Sequence, residues 1–177
     1  MNVKDGQNEH LWYNPETMSR LADELAKVFS SKMPSKKTEF KQNAAAYKKK
    51  VARLNSELEK IRAERIEKPV AVSEPVFDYS LEKMGYKVAN AHFAKAVEEE
   101  SDPSYTDIKN LQNKIKRKEI AFFVYNVQSD GTTVKNIVNL CKKHDIPVVK
   151  VTETLPEGKD YFNWLQSEYR QIAEIEK

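Results

Sequence analysis

The stretch Ile120-Ala121-Phe122-Phe123-Val124-Tyr125 decides the fold of this chain. A continuous apolar run of this length is typical of a β-strand that is covered on both faces, as strands in parallel sheets are. Shorter apolar runs occur on either side of it, and stretches with helical periodicity separate them. The sequence therefore predicts an α/β fold in three layers, with a parallel sheet between two layers of helices. The predicted strands are 70–72, 86–88, 120–125 and 147–151, and the predicted helices among them are 76–84, 92–100, 105–118, 132–143 and 160–174.

The residues before this region are helical. One helix is predicted from Pro15, which Asn14 can cap, as far as Met33 and Pro34. A second helix pattern runs from 36 to 66 without glycine or proline, and its apolar residues recur at alternating spacings of four and three. Such a helix would be about 45 Å long. The spacing fits a coiled coil or solvated stalk and equally fits a strut between two lobes. Its apolar residues are Phe40, Ala44, Tyr47, Val51, Leu54, Leu58 and Ile61.

Composition excludes several classes of protein. The 177 residues include 30 basic and 27 acidic ones, for a net charge of +3, which is too balanced to indicate binding to nucleic acid. The single cysteine, Cys141, cannot form an intramolecular disulfide and lies in an apolar helical pattern. No nucleophile elbow or phosphate-binding loop occurs, so no enzymatic activity is predicted. The first residues do not form a signal peptide, and no apolar run is long enough to span a bilayer.

Polar side chains that can bind a metal follow three of the predicted strands. Glu74 comes just after the first strand, Asn126 and Gln128 after the central one, and Glu153 after the last. Ligands of parallel sheets bind outside the carboxyl ends of the strands, so these residues should share one edge. Carboxylate and amide oxygens suit hard or borderline divalent cations. His10 lies far away in sequence, and only the fold could bring it to this edge.

Four short segments, in their order along the chain, carry a resemblance to a known family. They are His10-Leu11-Trp12-Tyr13-Asn14-Pro15, Ser73-Glu74-Pro75-Val76-Phe77-Asp78-Tyr79, Tyr125-Asn126-Val127-Gln128 and Val151-Thr152-Glu153-Thr154-Leu155. The chain resembles the metal-binding solute-binding proteins of bacterial ABC importers, of the zinc and manganese type. The first segment is similar to the family's His-x-Trp-x-Asp-Pro motif and the second to its His-Pro-x-Phe-x-Tyr motif. A subgroup with Glu-Pro, Tyr-Asn-x-Gln and Val-Thr-Glu-Thr-Leu is more similar still.

The resemblance implies a metal site in a cleft between two α/β lobes, which one long rigid helix joins. The implied ligands are His10, Glu74 and Glu153. The residues implied to support these ligands or to line the cleft are Asn14, Asp78, Tyr125, Asn126 and Gln128. Glutamate stands at position 74 where the family usually has histidine, and Asn14 stands where it has aspartate. Because carboxylates are harder ligands than imidazole, the implied site favours manganese or iron over zinc.

The resemblance also implies that the chain is the carboxy-terminal portion of a longer protein. Residues 1–35 would be the end of the first lobe, 36–66 the long backbone helix and 67–177 the complete second lobe. The full-length parent is expected in the cell envelope, as a surface lipoprotein or a periplasmic protein. It would capture divalent manganese, zinc or iron, bind no nucleic acid, and deliver the metal to an ABC permease in the membrane.

Two expectations depend on the missing part of the first lobe. The chain alone should bind metal weakly or not at all, because one further ligand histidine and half of the cleft are absent. Apolar faces that the first lobe normally covers should be exposed, which predicts a homodimer through residues 15–66. The alternative function is that of a protein-interaction module without metal, in which a helical stalk carries a flavodoxin-like domain. That alternative predicts no effect of alanine at Glu74 and Glu153.

Overall fold

The computed structural model describes residues 6–129 and 131–176, so the first five residues of the predicted segment 1–35 lie outside the described part. The helices are α1 (Pro15–Lys32), α2 (Lys37–Glu64), α3 (Asp78–Lys83), α4 (Ala91–Glu98), α5 (Tyr105–Lys116), α6 (Thr132–Lys143) and α7 (Tyr161–Ile175). The strands are β1 (Ala71–Val72), β2 (Phe123–Asn126) and β3 (Val148–Val151). Short 3-10 helices cover Leu11–Tyr13, Pro34–Lys36 and Pro75–Phe77.

The strands form one parallel sheet in the order β1-β2-β3. Successive residues of a strand point to opposite faces, and the sheet accordingly divides two hydrophobic cores. Val124 and Val149 belong to the core on the side of α2, α3 and α7, whereas Phe123 and Val148 contribute to the core on the side of α4, α5 and α6. The α/β fold with a parallel sheet between helical layers is confirmed.

The predicted strand at 86–88 is wrong, because only a single bridge joins Val88 to Val70. The side chain of Asn90 explains the difference. Its amide accepts a hydrogen bond from Val72 N at 3.0 Å and donates one to Val72 O at 2.8 Å. A side chain therefore satisfies the outer edge of β1 where a longer strand would have continued the ladder.

Helix α1 begins and ends where the sequence predicts. The side chain of Asn14 accepts a hydrogen bond from Glu16 N at 3.1 Å, and Pro15 occupies the first helical position, where its missing N–H costs nothing. Pro34 follows Met33 at the other end and starts a short 3-10 turn that leads into α2. Asn14 therefore acts as a helix cap.

Helix α2 is part of the folded body along its length. Its carboxyl-terminal half places Leu54, Leu58 and Ile61 in the core that α7 also covers. Its amino-terminal half packs on α1, where the Phe29 and Phe40 rings lie 5.6 Å apart. The interpretation as a solvated stalk is wrong for this helix, because its apolar stripe is buried or partly buried against α1 and the α/β body.

Helix α1 keeps an apolar face in solvent. The large apolar side chains on this face are each 43–51% exposed. They are Leu21, Leu25, Val28 and Phe29, together with Met33 directly after the helix. The exposed apolar surface that the sequence predicts for the first helix is therefore present. Within residues 6–129 and 131–176, no helix combines the length and the apolar character that crossing a bilayer requires.

Candidate metal centre

His10 is a buried histidine whose orientation is fixed by its neighbours. It is 4% exposed, and its Nδ1 lies 2.8 Å from Asn8 Oδ1. The same oxygen accepts a hydrogen bond from His10 N at 2.9 Å, while Asn8 Nδ2 donates to Pro75 O at 2.6 Å. Because Asn8 Oδ1 can only accept, Nδ1 carries the ring proton and Nε2 carries the lone pair. Nε2 is the nitrogen that a metal would bind.

Glu153 and Glu74 reach the same place from two strand ends. Glu153 follows β3, and its Oε1 lies 3.9 Å from His10 Nε2. Glu74 follows β1, and its charge acts on His10. Asn126, at the end of β2, donates from Nδ2 to Glu74 Oε2 at 2.7 Å and so orients that carboxylate. The structure therefore brings Glu153 next to His10, although the two are far apart in sequence, and it places Glu74 where its charge acts on the same ring.

Gln128 fixes the loop that carries Glu153. Its Oε1 accepts hydrogen bonds from Glu153 N at 2.6 Å and from Thr154 N at 3.1 Å. Its Nε2 donates to Thr154 Oγ1 at 2.8 Å. Gln128 therefore holds the Glu153 backbone against the end of β2, which is a supporting role for a ligand.

Asp78 and Tyr125, which were also predicted to support or line the site, lie in different surroundings. Asp78 is partly buried at the start of α3, and its Oδ1 has no hydrogen-bond partner among the described residues. Tyr125 was expected to line the cleft, but its ring packs on the core beside α5 and α6 and its hydroxyl donates to Ser129 O at 3.3 Å. The reason is the alternation of the strand, which points Tyr125 away from the face that Val124 and Asn126 share.

Glu98 is a residue of this centre that sequence reasoning missed. It ends α4, and its Oε1 lies 3.7 Å from His10 Nδ1. Glu9, His10 and Glu98 offer ligand atoms that all lie within 4.8 Å of one another. No local motif marks Glu98, since only the packing of α4 brings it to His10. Asn8 was also missed, although its position two residues before His10 gave a usable signal.

Burial and the nearby negative charges shift the pKa of His10 in opposite directions. Burial lowers the pKa of His10, against the opposing charges of Glu153, Glu9 and Glu74, so the ring is held neutral as metal binding requires. Burial, with the charges of Glu9 and Asp78 added, raises the pKa of Glu98 to about 7. Burial and the charge of Glu82 raise the pKa of Asp78 to about 6. The carboxylates therefore repel one another, and a divalent cation would relieve that repulsion.

A second network joins the His10 segment to the loop of Glu153. Tyr13 donates its hydroxyl hydrogen to Thr152 O at 2.5 Å, and its oxygen lies 3.3 Å from Glu168 Oε1. That carboxylate oxygen also accepts from Thr152 N at 3.1 Å and from Trp164 Nε1 at 2.9 Å. Burial raises the pKa of Glu168 to about 7. One buried carboxyl group thus connects Tyr13, three residues after His10, to Thr152, directly before Glu153.

The profile of the family described as the zinc-uptake complex component A periplasmic (ZnuA) matches residues 2–175. The chain belongs to this family. Its homologues are substrate-binding components of ABC importers for zinc and manganese rather than enzymes, and their fold is that of metal-receptor proteins. The alternative of a metal-free interaction module is accordingly not favoured.

Individual relatives of this ZnuA-family chain include binding proteins for two metals. The chain is 29% identical over 181 residues to a manganese ABC transporter substrate-binding lipoprotein, PsaA, of Streptococcus mitis, and covers 57% of that protein. It is 24% identical over 153 residues to a high-affinity zinc uptake system protein, ZnuA, of Brucella abortus, and covers 45% of it. The match includes 98% and 86% of this chain, respectively. The chain thus spans about half the length of these curated relatives.

A solved structure shows the same fold. The periplasmic zinc-binding protein TroA from Treponema pallidum superposes with a TM-score of 0.75 at 14% sequence identity. The superposition covers 99% of this chain and 66% of TroA.

We expect the Glu168→Gln variant to be less sensitive to pH than the wild type. The folded-state pKa of about 7 lies above the ordinary glutamate value of 4.5, so the folded chain keeps a proton that the unfolded chain has lost between these pH values. The free energy of unfolding should therefore fall as pH rises from about 4.5 to 7, by on the order of 2–3 kcal/mol. Glutamine keeps the acceptor and cannot ionise, so the variant should lack this decline. Denaturant unfolding of both proteins at several pH values measures it.

Glu174→Gln, at an exposed position of the same helix α7, is the matched control. The charges that act on Glu168 include that of Lys159, which both proteins retain. Asp78 and Glu98 also contribute to the pH dependence of both proteins, so the difference between wild type and variant isolates Glu168. Parallel pH profiles for the wild type and Glu168→Gln would contradict the prediction.

Proposed function

We propose that this chain is the metal-binding portion of a substrate-binding component of an ABC metal importer. The observation that carries the proposal is the approach of Glu153 Oε1 to His10 Nε2 at 3.9 Å, from segments far apart in sequence, with the charge of Glu74 acting on the same ring. A buried neutral imidazole with its lone pair directed toward carboxylates is suited to a divalent cation. The family and its zinc- and manganese-binding relatives support the same function.

The ligand set favours manganese as the cargo. One nitrogen and two carboxylates make a harder site than several histidines would, and harder ligands favour manganese relative to zinc. Iron(II) is the next candidate by the same reasoning, and zinc the third. Capture needs no bond-making chemistry, so we assign no catalytic residue. His10 and the carboxylates would hold the ion, and Asn8, Asn126 and Gln128 would keep these ligands in place.

This function assigns each part of the chain to a lobe or to the helix that joins the two lobes. Residues 1–35 would belong to the amino-terminal lobe, 36–66 form the backbone helix, and 67–177 form the carboxy-terminal lobe that docks on the membrane permease. The full-length parent would act in the cell envelope, as a lipoprotein or a periplasmic protein, as the relatives' descriptions say of them. Weak metal binding is expected of this chain, because the relatives are nearly twice as long.

Metal titration of the purified chain tests the function. We expect Mn²⁺ to bind with a dissociation constant below about 1 mM, and His10→Ala to weaken binding at least about tenfold because it removes the nitrogen ligand of the proposed site. Glu74→Ala and Glu153→Ala should do the same. Isothermal titration calorimetry with Mn²⁺, Zn²⁺ and Fe²⁺ measures these affinities and their order.

His92→Ala is the matched control, since His92 is exposed on α4 and forms no hydrogen bond or ion pair with the three ligands among the described residues. It should bind metal like the wild type. Equal affinities of the wild type and all three ligand variants would refute the proposed site. A full-length parent that binds none of the three metals more tightly than about 1 mM would refute the function itself.

The exposed face of α1 supports the predicted homodimer through residues 15–66. Leu21, Leu25 and Phe29 lie on successive turns of one helix face and are each more than 40% exposed. Contiguous apolar surface of this kind favours association. A second copy of the chain presents the same face and can cover it in a twofold arrangement.

We expect sedimentation velocity to show concentration-dependent dimerisation of the wild type, and Leu25→Glu to abolish it by placing a charge on the apolar face. Arg20→Glu changes an exposed charge on the same helix and should leave the dimer intact. A wild type that stays monomeric at high concentration would contradict the homodimer without affecting the metal site.

A further inference from the structure

Glu98 is a partly buried glutamate, and one of its carboxylate oxygens, Oε1, has no hydrogen-bonded partner among the described residues. Its side chain is 25% exposed, but its Oε1 is fully buried and accepts no hydrogen bond from any described residue. The nearest polar atom given for that oxygen is His10 Nδ1 at 3.7 Å, which is beyond hydrogen-bonding distance. An unpaired buried carboxylate is costly to fold, so its position beside His10 needs a reason.

The surroundings of Glu98 supply negative charge and no cation. The carboxylates of Glu9, Asp78, Glu74 and Glu99 all act on it. Lys95, the basic residue of α4, pairs with Glu99 at 3.6 Å instead. The charge of Glu98 is therefore uncompensated within the described part of the chain.

Glu98 faces one edge of the His10 ring and Glu153 faces the other. His10 Nε2 lies 3.9 Å from Glu153 Oε1, and no described residue forms a hydrogen bond with Nε2. The Nδ1 edge meets Asn8, a neutral amide, and then the charge of Glu98. A negative charge behind a ligating imidazole polarises the ring and makes its other nitrogen a stronger donor to a metal.

We propose that Glu98 is a positioning residue of the metal centre, which acts through the Nδ1 edge of His10 to strengthen metal binding at Nε2. This inference rests on the proposed function. Asn8 sets the tautomer, and Glu98 adds the negative charge that a neutral amide cannot provide. A bound divalent cation in turn compensates the charge of Glu98, which the metal-free chain leaves unpaired.

The test compares Glu98→Gln with Glu99→Gln, a neighbouring glutamate that is exposed and paired with Lys95. We expect Glu98→Gln to weaken Mn²⁺ binding about 10-fold, at the low end of the range for outer-shell partners of a ligand histidine, because Glu98 acts through its charge and not through a hydrogen bond. Glu99→Gln should bind like the wild type. Glu98→Asp, which keeps the charge, should recover part of the lost affinity.

Two further measurements separate this role from a structural or ligating one. The melting temperature of metal-free Glu98→Gln should equal or exceed that of the wild type, because a buried uncompensated charge is removed. The visible absorption spectrum of the Co²⁺ complex should be unchanged in shape, because Glu98 does not touch the metal. A lower metal-free melting temperature, a changed Co²⁺ spectrum or an unchanged affinity would each overturn the proposal.

Failure of this inference is distinguishable from failure of the proposed function. If the wild type binds Mn²⁺ and His10→Ala does not, but Glu98→Gln binds normally, only the role of Glu98 is refuted. If neither this chain nor its full-length parent binds Mn²⁺, the proposed function fails, and the role of Glu98 fails with it.

Discussion

The carboxyl group of Glu168 is the constraint on which the candidate site depends. Tyr13, Thr152 and Trp164 all converge on its Oε1, and Tyr13 also bonds to the Thr152 carbonyl. Tyr13 lies three residues after His10, and Thr152 directly precedes Glu153. One buried group on α7 therefore holds two segments that are distant in sequence, so that the imidazole and the carboxylate face each other. Its raised pKa reflects what burying that group costs.

The parallel sheet supplies the rest of the geometry. Because all three strands run in one direction, Glu74, Asn126 and Glu153 emerge at the same edge. Hydrogen bonds between neighbouring strand ends then fix the side chains, as Asn126 does for Glu74 and Gln128 does for the backbone of Glu153. The carboxylates concentrate negative charge around a neutral histidine. A bound divalent cation would compensate these negative charges.

The sequence predicts the fold well because its signals are local. The run from Ile120 to Tyr125 and the spacing of helical apolar residues define the layers without knowledge of packing. The strand expected at 86–88 fails because Asn90, a single side chain, occupies the edge of β1. The placement of Glu74 and Glu153 at one edge follows from the sheet, whereas His10 required the resemblance to a family. Glu98 and Glu168 lay beyond prediction, since only tertiary packing brings these helical glutamates to the site.

Anomalous diffraction from crystals of the chain grown with Mn²⁺ tests the central claim most directly, namely that His10, Glu74 and Glu153 hold one ion. We expect a single strong peak about 2 Å from His10 Nε2 and from a carboxylate oxygen of each glutamate. We also expect that Asn8 remains hydrogen-bonded to His10 Nδ1 and that Glu98 stays outside direct contact with the metal. A peak bound only by surface carboxylates, or one coordinated by His10 Nδ1, would contradict the claim.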